Sequence, residues 1–400
     1  MRAGAFLFLF CFILTSPLAE INALSFYPLA TEVRVGILSK YALAEITLSG
    51  ERGIVFAGNG KYNISGKIIF RALNGVVFVC RDDGKPLAED ARVKVFFPGR
   101  YVVHVNQAHI NQNNASFSRI YSGSLEINAE RGVLTLVAVM KTDEYVRATV
   151  RSELGHFLAD GPGASHAAPG WKNELFSALE IAVCSYIAAQ KDRHPGKSYD
   201  FCDLTHCAHF QGLSGIQGNR HRNLLRIMTG VDGKPISGFF HTACGGVLTG
   251  PESHWGGVPA LNYRRGTEDF CAVSDDFNWS VFFSIAQLEL LTGAAGLEDI
   301  TAEYREGRVG ALLFFAKNGN IRMEASLFWS KAGSAYGWNK IRSNLFGLKK
   351  AHGGWNFSGR GFGHGVGLCM WGARSMAIEG KSVEDILNFF YMNPRIVAVE

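Results

Sequence analysis

The sequence predicts a mixed α+β fold, with a β-rich N-terminal region followed by a region built from helices and strands. Three observations predict it. From Leu24 onward short stretches alternate apolar and polar residues, as at Val33, Val35 and Ile37, at Val93 and Val95, and at Leu125 and Ile127, which is the period of half-buried antiparallel strands. After Lys141 the apolar spacing becomes helical. The composition supplies a core for both regions, because 47% of the 400 residues are hydrophobic, 29 Phe among them, and only 19% are charged. The same figures exclude a disordered charged tail protein, which lacks apolar side chains to bury and carries an excess of like charge.

The chain opens on a segment with its own logic. Met1-Arg2 is a basic start, Ala5 to Leu14 is an unbroken apolar run, and Pro17 breaks it before the small residues Ala19 and Ala23. These are the three parts of a secretory signal peptide over residues 1–23, so the protein is expected to be exported. A membrane anchor is the weaker reading, since a spanning helix needs about 20 apolar residues; membrane attachment follows only if the leader is retained. Removing it takes Cys11 and leaves Cys80, Cys184, Cys202, Cys207, Cys244, Cys271 and Cys369. An odd set cannot be fully paired, so at least one thiol is free, buried or bound.

Residues 24–123 form the β-rich region, punctuated by turns at Asp82-Asp83-Gly84 and, just beyond it, Arg131-Gly132. Residues 124–395 form the second region. A short helix that Thr142 could cap places Val146, Val150 and Glu153 at i, i+4 and i+7, so the carboxylate continues an apolar stripe. Burial there would raise its pKa and suit a general acid. The pattern fits equally a glutamate reaching solvent at a helix end beside Gly155, which is the commoner case. A loop with Gly161-Pro162-Gly163 and Pro169-Gly170 follows. The longest helix runs from Glu174 to about Arg193, with Asn173 at its start, Tyr186 on its apolar face and Pro195-Gly196 as its stop.

Beyond it, His194, Cys202, His206 and Cys207 lie within fourteen residues and offer the four donors of a tetrahedral zinc site. A small-loop disulfide between Cys202 and Cys207 is the competing reading in an oxidising compartment, and adjacent His206 and Cys207 can share one ion only if the backbone turns sharply. His241 precedes Cys244 by three residues, but a buried Cys is commonly inert, which argues against a thiol enzyme. Gly359-Arg360-Gly361-Phe362-Gly363-His364-Gly365-Val366-Gly367 has a period of two, unlike a dinucleotide loop. If extended, it shows a bare glycine face opposite Arg360, Phe362, His364 and Val366, fit either for a flat ligand or for tight packing on a neighbouring strand. Ser382 and Asp385 form a capping box before Ile386 and Leu387, so the chain is expected to close on a short docked helix.

Taken together, these stretches resemble the stage II sporulation protein D family and its related amidase-enhancer proteins. The resemblance rests on Asp143-Glu144-Tyr145-Val146 leading to Ser152-Glu153, the helix Glu174 to Tyr186, Tyr199-Asp200-Phe201-Cys202-Asp203-Leu204-Thr205-His206-Cys207, and Phe240-His241-Thr242-Ala243-Cys244-Gly245-Gly246. Gly307-Arg308-Val309, Ile341-Arg342-Ser343-Asn344-Leu345-Phe346 and Gly359 through Ala373 continue it in the same order, over about Ser124 to Tyr391. It implies a lytic transglycosylase acting on peptidoglycan glycan strands that have lost their peptide stems. Glu153 would be the single acid/base, and His194, Cys202, His206 and Cys207 would hold a structural zinc ion. Arg360, Phe362, His364, His241 and Tyr186 are the expected glycan contacts.

An ordinary glycosidase needs two carboxylates. A lytic transglycosylase can use one, because the substrate's own C6 hydroxyl closes a 1,6-anhydro ring. The second function that the resemblance implies is a non-catalytic wall-binding enhancer of an N-acetylmuramoyl-L-alanine amidase. Family members usually carry Gln and Arg on the long helix where this chain has Leu179 and Cys184, and Gln where it has Met370. Substrate contacts are expected to differ accordingly. Cys244 and Cys271 could pair, leaving Cys80, Cys184 and Cys369 as packed thiols. The net charge of 40 − 35 = +5 is scattered, which suits loose attraction to an anionic envelope, in the periplasm or on the outer face of the cytoplasmic membrane, and not nucleic-acid binding.

Overall fold

A computed structural model describes residues 26–400 except 111–112, 160–163, 192, 215–223 and 258–259. The expected leader with Cys11, and Gly161-Pro162-Gly163, lie outside the described residues. Strand exceeds helix, 44% against 22%, so the fold is the β-rich α+β expected.

The chain begins with β1 (Phe26–Tyr27), then β2 (Glu32–Ile37), β3 (Glu45–Ala57), β4 (Gly60–Leu73), β5 (Val76–Arg81) and β6 (Pro86–Asp90). The long strands β7 (Arg92–Ile110) and β8 (Asn113–Glu130) follow, then β9 (Val133–Lys141). Much later β10 (Phe201–Cys202) completes a nine-stranded sheet in the order β10-β2-β9-β8-β7-β3-β4-β5-β6. Alternation is the cause: Val33, Val35, Ile46, Leu48, Val93, Val95, Leu125 and Ile127 are buried on inward faces. On the other face the fork of Arg34 meets the Glu126 carboxylate at 2.7 and 3.1 Å. A boundary at residue 124 is not where the backbone divides, since Ser124 sits inside β8 and pairs with Val139. One apolar core continues from this sheet into the helices that follow.

Helix α1 (Thr142–Leu154) buries Val146 and Val150. Thr142 does not cap it; its hydroxyl donates to the Ala30 carbonyl, 2.5 Å away, and ties the helix start to the loop between β1 and β2. Helix α2 spans Trp171–Ala189, beginning earlier than the Asn173 signal suggests because Gly170, at φ +81°, turns the chain so that Trp171 can pack. It ends before Pro195-Gly196, where Gln190 leaves helical geometry and its side-chain amide donates to the Ser237 hydroxyl at 2.8 Å.

Short helix α3 (Pro251–Trp255) is followed by a second, smaller apolar core. That core joins the strands Asn278–Ser284, Phe346–Ala351 and Gly354–Arg360, the sheet Leu297–Arg305, Arg308–Ala316 and Ile321–Glu324, and helices α4 (Ile285–Thr292) and α5 (Ala325–Tyr336). The chain then returns to the first core through α6 (Met370–Ile378) and α7 (Val383–Phe390). Ser382 and Asp385 form the expected capping box on α7. The chain does not close there, because Arg395–Val399 adds a strand beside β1 and Arg226–Thr229. No helix of the described residues is long and apolar enough to cross a membrane.

Candidate active site

Glu153 lies in the last turn of α1, where the apolar stripe of Val146 and Val150 turns it toward the protein. The side chain is half-buried at the rim, while its carboxyl is enclosed. The loop after β10 straps this helix end: the amide of His209 donates to Glu153 Oε1 at 2.7 Å and that of Gln211 to the Ser152 hydroxyl at 3.3 Å. Phe210 pins the strap by packing on Tyr145 and Tyr121. Burial raises the pKa of Glu153 to about 7, with the His209 amide pulling the other way. The C-terminal end of the helix acts in the same direction as burial.

Glu153 opens on a cleft of about 320 Å³. Among the described residues that line it, Glu153 is the sole carboxylate. Tyr186, His241, Phe362 and His364, four of the five expected glycan contacts, line the same cleft. Arg360 does not. It ends the strand Gly354–Arg360, is exposed, and lies over the Phe277 ring at 5.8 Å. The reason is local. Residues 361–367 are not extended: Gly361, Gly363, Gly365 and Gly367 all take positive φ, which winds the segment and separates Arg360 from the residues that follow.

Three imidazoles of the cleft, those of His241, His254 and His364, are neutral. Burial, reinforced by the charge of Arg308, lowers His241 to about 3 and His254 to about 4; burial also depresses His364, whose Nδ1 accepts from the Val366 amide at 3.0 Å. Leu179 and Cys184 are wholly buried on α2, away from the lining, whereas Met370 lines the cleft.

Several lining residues carried no sequence signal. His254 and Trp255 come from α3, Trp329 from α5 and Trp338 from the turn after it. Phe239 joins Trp255 (ring centroids 4.8 Å) to Tyr186 (6.0 Å), and Trp329 sits 5.2 Å from Trp338. Trp255 and Trp338 are 42% and 45% exposed, so each offers a ring face to a ligand. Neither Trp sits in a periodic pattern, and only the rarity of the residue type could have drawn attention to them.

His194, Cys202, His206 and Cys207 also converge, all four donor atoms lying within 4.8 Å of one another at the edge of the same cleft. Pairing of β10 with β2 places Cys202 opposite Gly36, and the buried Asp203 carboxylate fixes the turn by accepting from the amides of Leu38 (2.7 Å) and Ser39 (3.2 Å) and from Arg119 (3.1 Å). The amide of Cys207 donates to the Leu204 carbonyl at 3.0 Å, the sharp turn that lets adjacent His206 and Cys207 face one point. The two sulfurs are 3.7 Å apart, close to the roughly 3.8 Å that a tetrahedron of Zn–S bonds near 2.3 Å requires. Their shared hydrogen bond draws the Cys202 thiol below its ordinary pKa and pushes Cys207 above it.

Cys244 is no nucleophile for His241. It is buried, and His241 Nδ1 instead faces the Val366 carbonyl at 3.1 Å. Cys369, expected as an isolated packed thiol, lies with Cys244 and Cys271.

Fold and site thus define a β-rich α+β protein with one enclosed carboxylic acid in an aromatic cleft beside a thiol and imidazole cluster. No protein-family model matches the chain. It is 23% identical over 282 residues to an uncharacterised protein of Brachyspira hyodysenteriae, covering 69% of this chain and 72% of that one. It is 27% identical to the stage II sporulation protein D of Bacillus subtilis over 176 residues and of Bacillus amyloliquefaciens over 185 residues. These matches cover 41% and 45% of this chain and 46% and 48% of the two relatives, about half their length.

Proposed function

We propose that the protein remodels the bacterial cell wall as an exported lytic transglycosylase, cleaving the MurNAc-GlcNAc bond of peptide-free glycan strands to leave 1,6-anhydroMurNAc ends. The observation that carries this reading is the single carboxyl of Glu153, held protonated up to about pH 7 in a cleft with no second carboxylate among its described lining residues. One protonated acid can donate to the leaving glycosidic oxygen. The resulting carboxylate then takes the proton of the C6 hydroxyl as that oxygen attacks the anomeric carbon. Inverting and retaining hydrolysis both need a partner carboxylate. The aromatic faces of Trp255 and Trp338 suit the apolar faces of sugar rings, and the neutral imidazoles of His241 and His364 can exchange hydrogen bonds with hydroxyls. Likeness to proteins named for sporulation supports a role in wall remodelling.

The reading includes a structural zinc ion on His194, Cys202, His206 and Cys207. It would hold the turn from which the chain runs directly to His209, the residue whose amide fixes Glu153. Zinc bound there has no open position for chemistry and contributes folding energy.

The test is to incubate purified protein with peptide-free glycan and weigh the products. Anhydro-ended chains that disappear in Glu153→Gln are expected. Reducing ends would indicate hydrolysis and overturn the mechanism; binding without cleavage, together with stimulation of a separate wall amidase, would favour a non-catalytic enhancer. Elemental analysis of protein purified without chelator checks the zinc, and a Cys202–Cys207 disulfide would reject it.

A further inference from the structure

We propose that Cys244, Glu268, Cys271 and Cys369 form a second metal centre, a closed structural site for zinc. The four donor atoms lie within 4.8 Å of one another and all four residues are buried. Cys244 Sγ stands 3.4 Å from Cys271 Sγ and 2.5 Å from Glu268 Oε1, a convergence that an ion bonded to each at roughly 2.0–2.3 Å would fill. A disulfide could use only two of the three thiols and would leave the third sulfur and a buried carboxyl beside it. Three thiolates and one carboxylate with no open position suit zinc as a structural ion.

Two further observations point to anionic sulfur at this place. Backbone amides aim at the sulfurs: Cys244 N–H at Cys369 Sγ (3.3 Å), Gly372 N–H at Cys369 Sγ (3.4 Å) and Gly246 N–H at Cys244 Sγ (3.2 Å). A thiol is a weak acceptor, whereas a thiolate draws such donors. Beside the cluster the guanidinium of Arg308 is wholly buried, and the acceptors around it are neutral: Asn344 Oδ1 (2.8 Å), the carbonyls of Val247 (2.9 Å) and Gly363 (3.5 Å), and the Cys244 carbonyl. A buried cation needs nearby negative charge. Binding a dication to the four donors releases their protons to solvent and leaves a centre of net charge −2 next to Arg308.

The ion would join the turn at Cys244, the loop Glu268–Cys271 and the start of α6. His241 and Cys369 are register partners in a parallel strand pair, so the centre would also hold the wall that carries His241 and His364. The proposal does not depend on glycan cleavage.

Two measurements on protein purified without chelator test it. In the double variant Cys202→Ser/Cys207→Ser, which disables the other cluster, one zinc per chain is expected to remain, and it is lost when Cys271→Ser is added. Should these variants fail to fold, X-ray absorption at the zinc edge of the unaltered protein decides. The Cys202/Cys207 cluster alone gives two sulfurs per ion; the second centre raises the average to about 2.5, or to 3 if it alone is filled. An average of two or fewer, protein without zinc, or a Cys244–Cys271 disulfide in peptide maps overturns the proposal.

Discussion

The amide of His209 and the carboxyl of Glu153 meet at 2.7 Å although 56 positions separate them, so the acid is held by a neutral group that supplies no counter-charge. Burial therefore governs its titration, and the group stays protonated up to about pH 7. If protonated Glu153 delivers the first proton, glycan cleavage should be level below that pH and fall about tenfold per unit above it. A pH profile of single-turnover cleavage checks this; a descending limb near the ordinary carboxylate range of about 4 to 5 would refute it.

The same shift has a stability counterpart. The folded state keeps a proton on Glu153 between its ordinary value of 4.5 and about 7, while the unfolded chain releases it, so raising the pH through that window weakens the fold. Glu153→Gln removes the penalty. Allowing for solvent reaching the half-buried side chain, the variant should be more stable than the parent by on the order of 2 kcal/mol at pH 8 and equal to it below pH 4.5. Denaturant melts at the two pH values measure the difference.

Tyr101 sits in the sheet core, fully buried and stacked on Phe97 at 5.0 Å, with no hydrogen-bond partner for its hydroxyl. Tyr101→Phe keeps the ring and removes an unpaid desolvation cost. A gain of about 1 kcal/mol is expected from urea unfolding.

Gly367 has φ +67°, and a Cβ there would stand 2.2 Å from the Phe239 carbonyl oxygen. Gly367→Ala combines left-handed strain with overpacking and should cost about 2 kcal/mol or more. Because Phe239 and His364 both flank the cleft, cleavage should fall further than the loss of folded protein accounts for.

Trp338, in the turn after α5, packs against that helix only because Gly333 offers no Cβ; one there would meet its ring at 2.4 Å. Trp338→Ala removes an exposed aromatic face from the cleft without touching α1 or the His209 strap. KM for glycan should rise about fivefold, near 1 kcal/mol of lost contact, with kcat little changed.

Legibility in the sequence followed the range of the cause. Strand alternation at Val33, Val35 and Ile37 and the Ser382 capping box are written within a few residues, and both appear as read. Glu153 was visible as a carboxylate on an apolar stripe, yet whether it met solvent depended on a strap from residues 209–211 that no local pattern announces. The condition that the glycine run be extended is not met, and its period of two could not decide the matter, because that period suits a strand equally well as a chain with a left-handed residue at each alternate position. Arg360 left the site on that account. Cys369 looked solitary because its partners lie more than ninety positions away and meet it only through the pairing of Phe240–His241 with Leu368–Cys369.

Asn278 and Arg360 face each other as register partners, so the chain leaves the first core and comes back to it at neighbouring points. Most of the apolar residues between them pack in their own core, and from this stretch Trp329 and Trp338 reach the cleft, while α1 with Glu153 packs in the first core. The cleft is thus lined from two separately packed cores, so loosening the second one would shift Trp329 and Trp338 while leaving the packing of α1 intact.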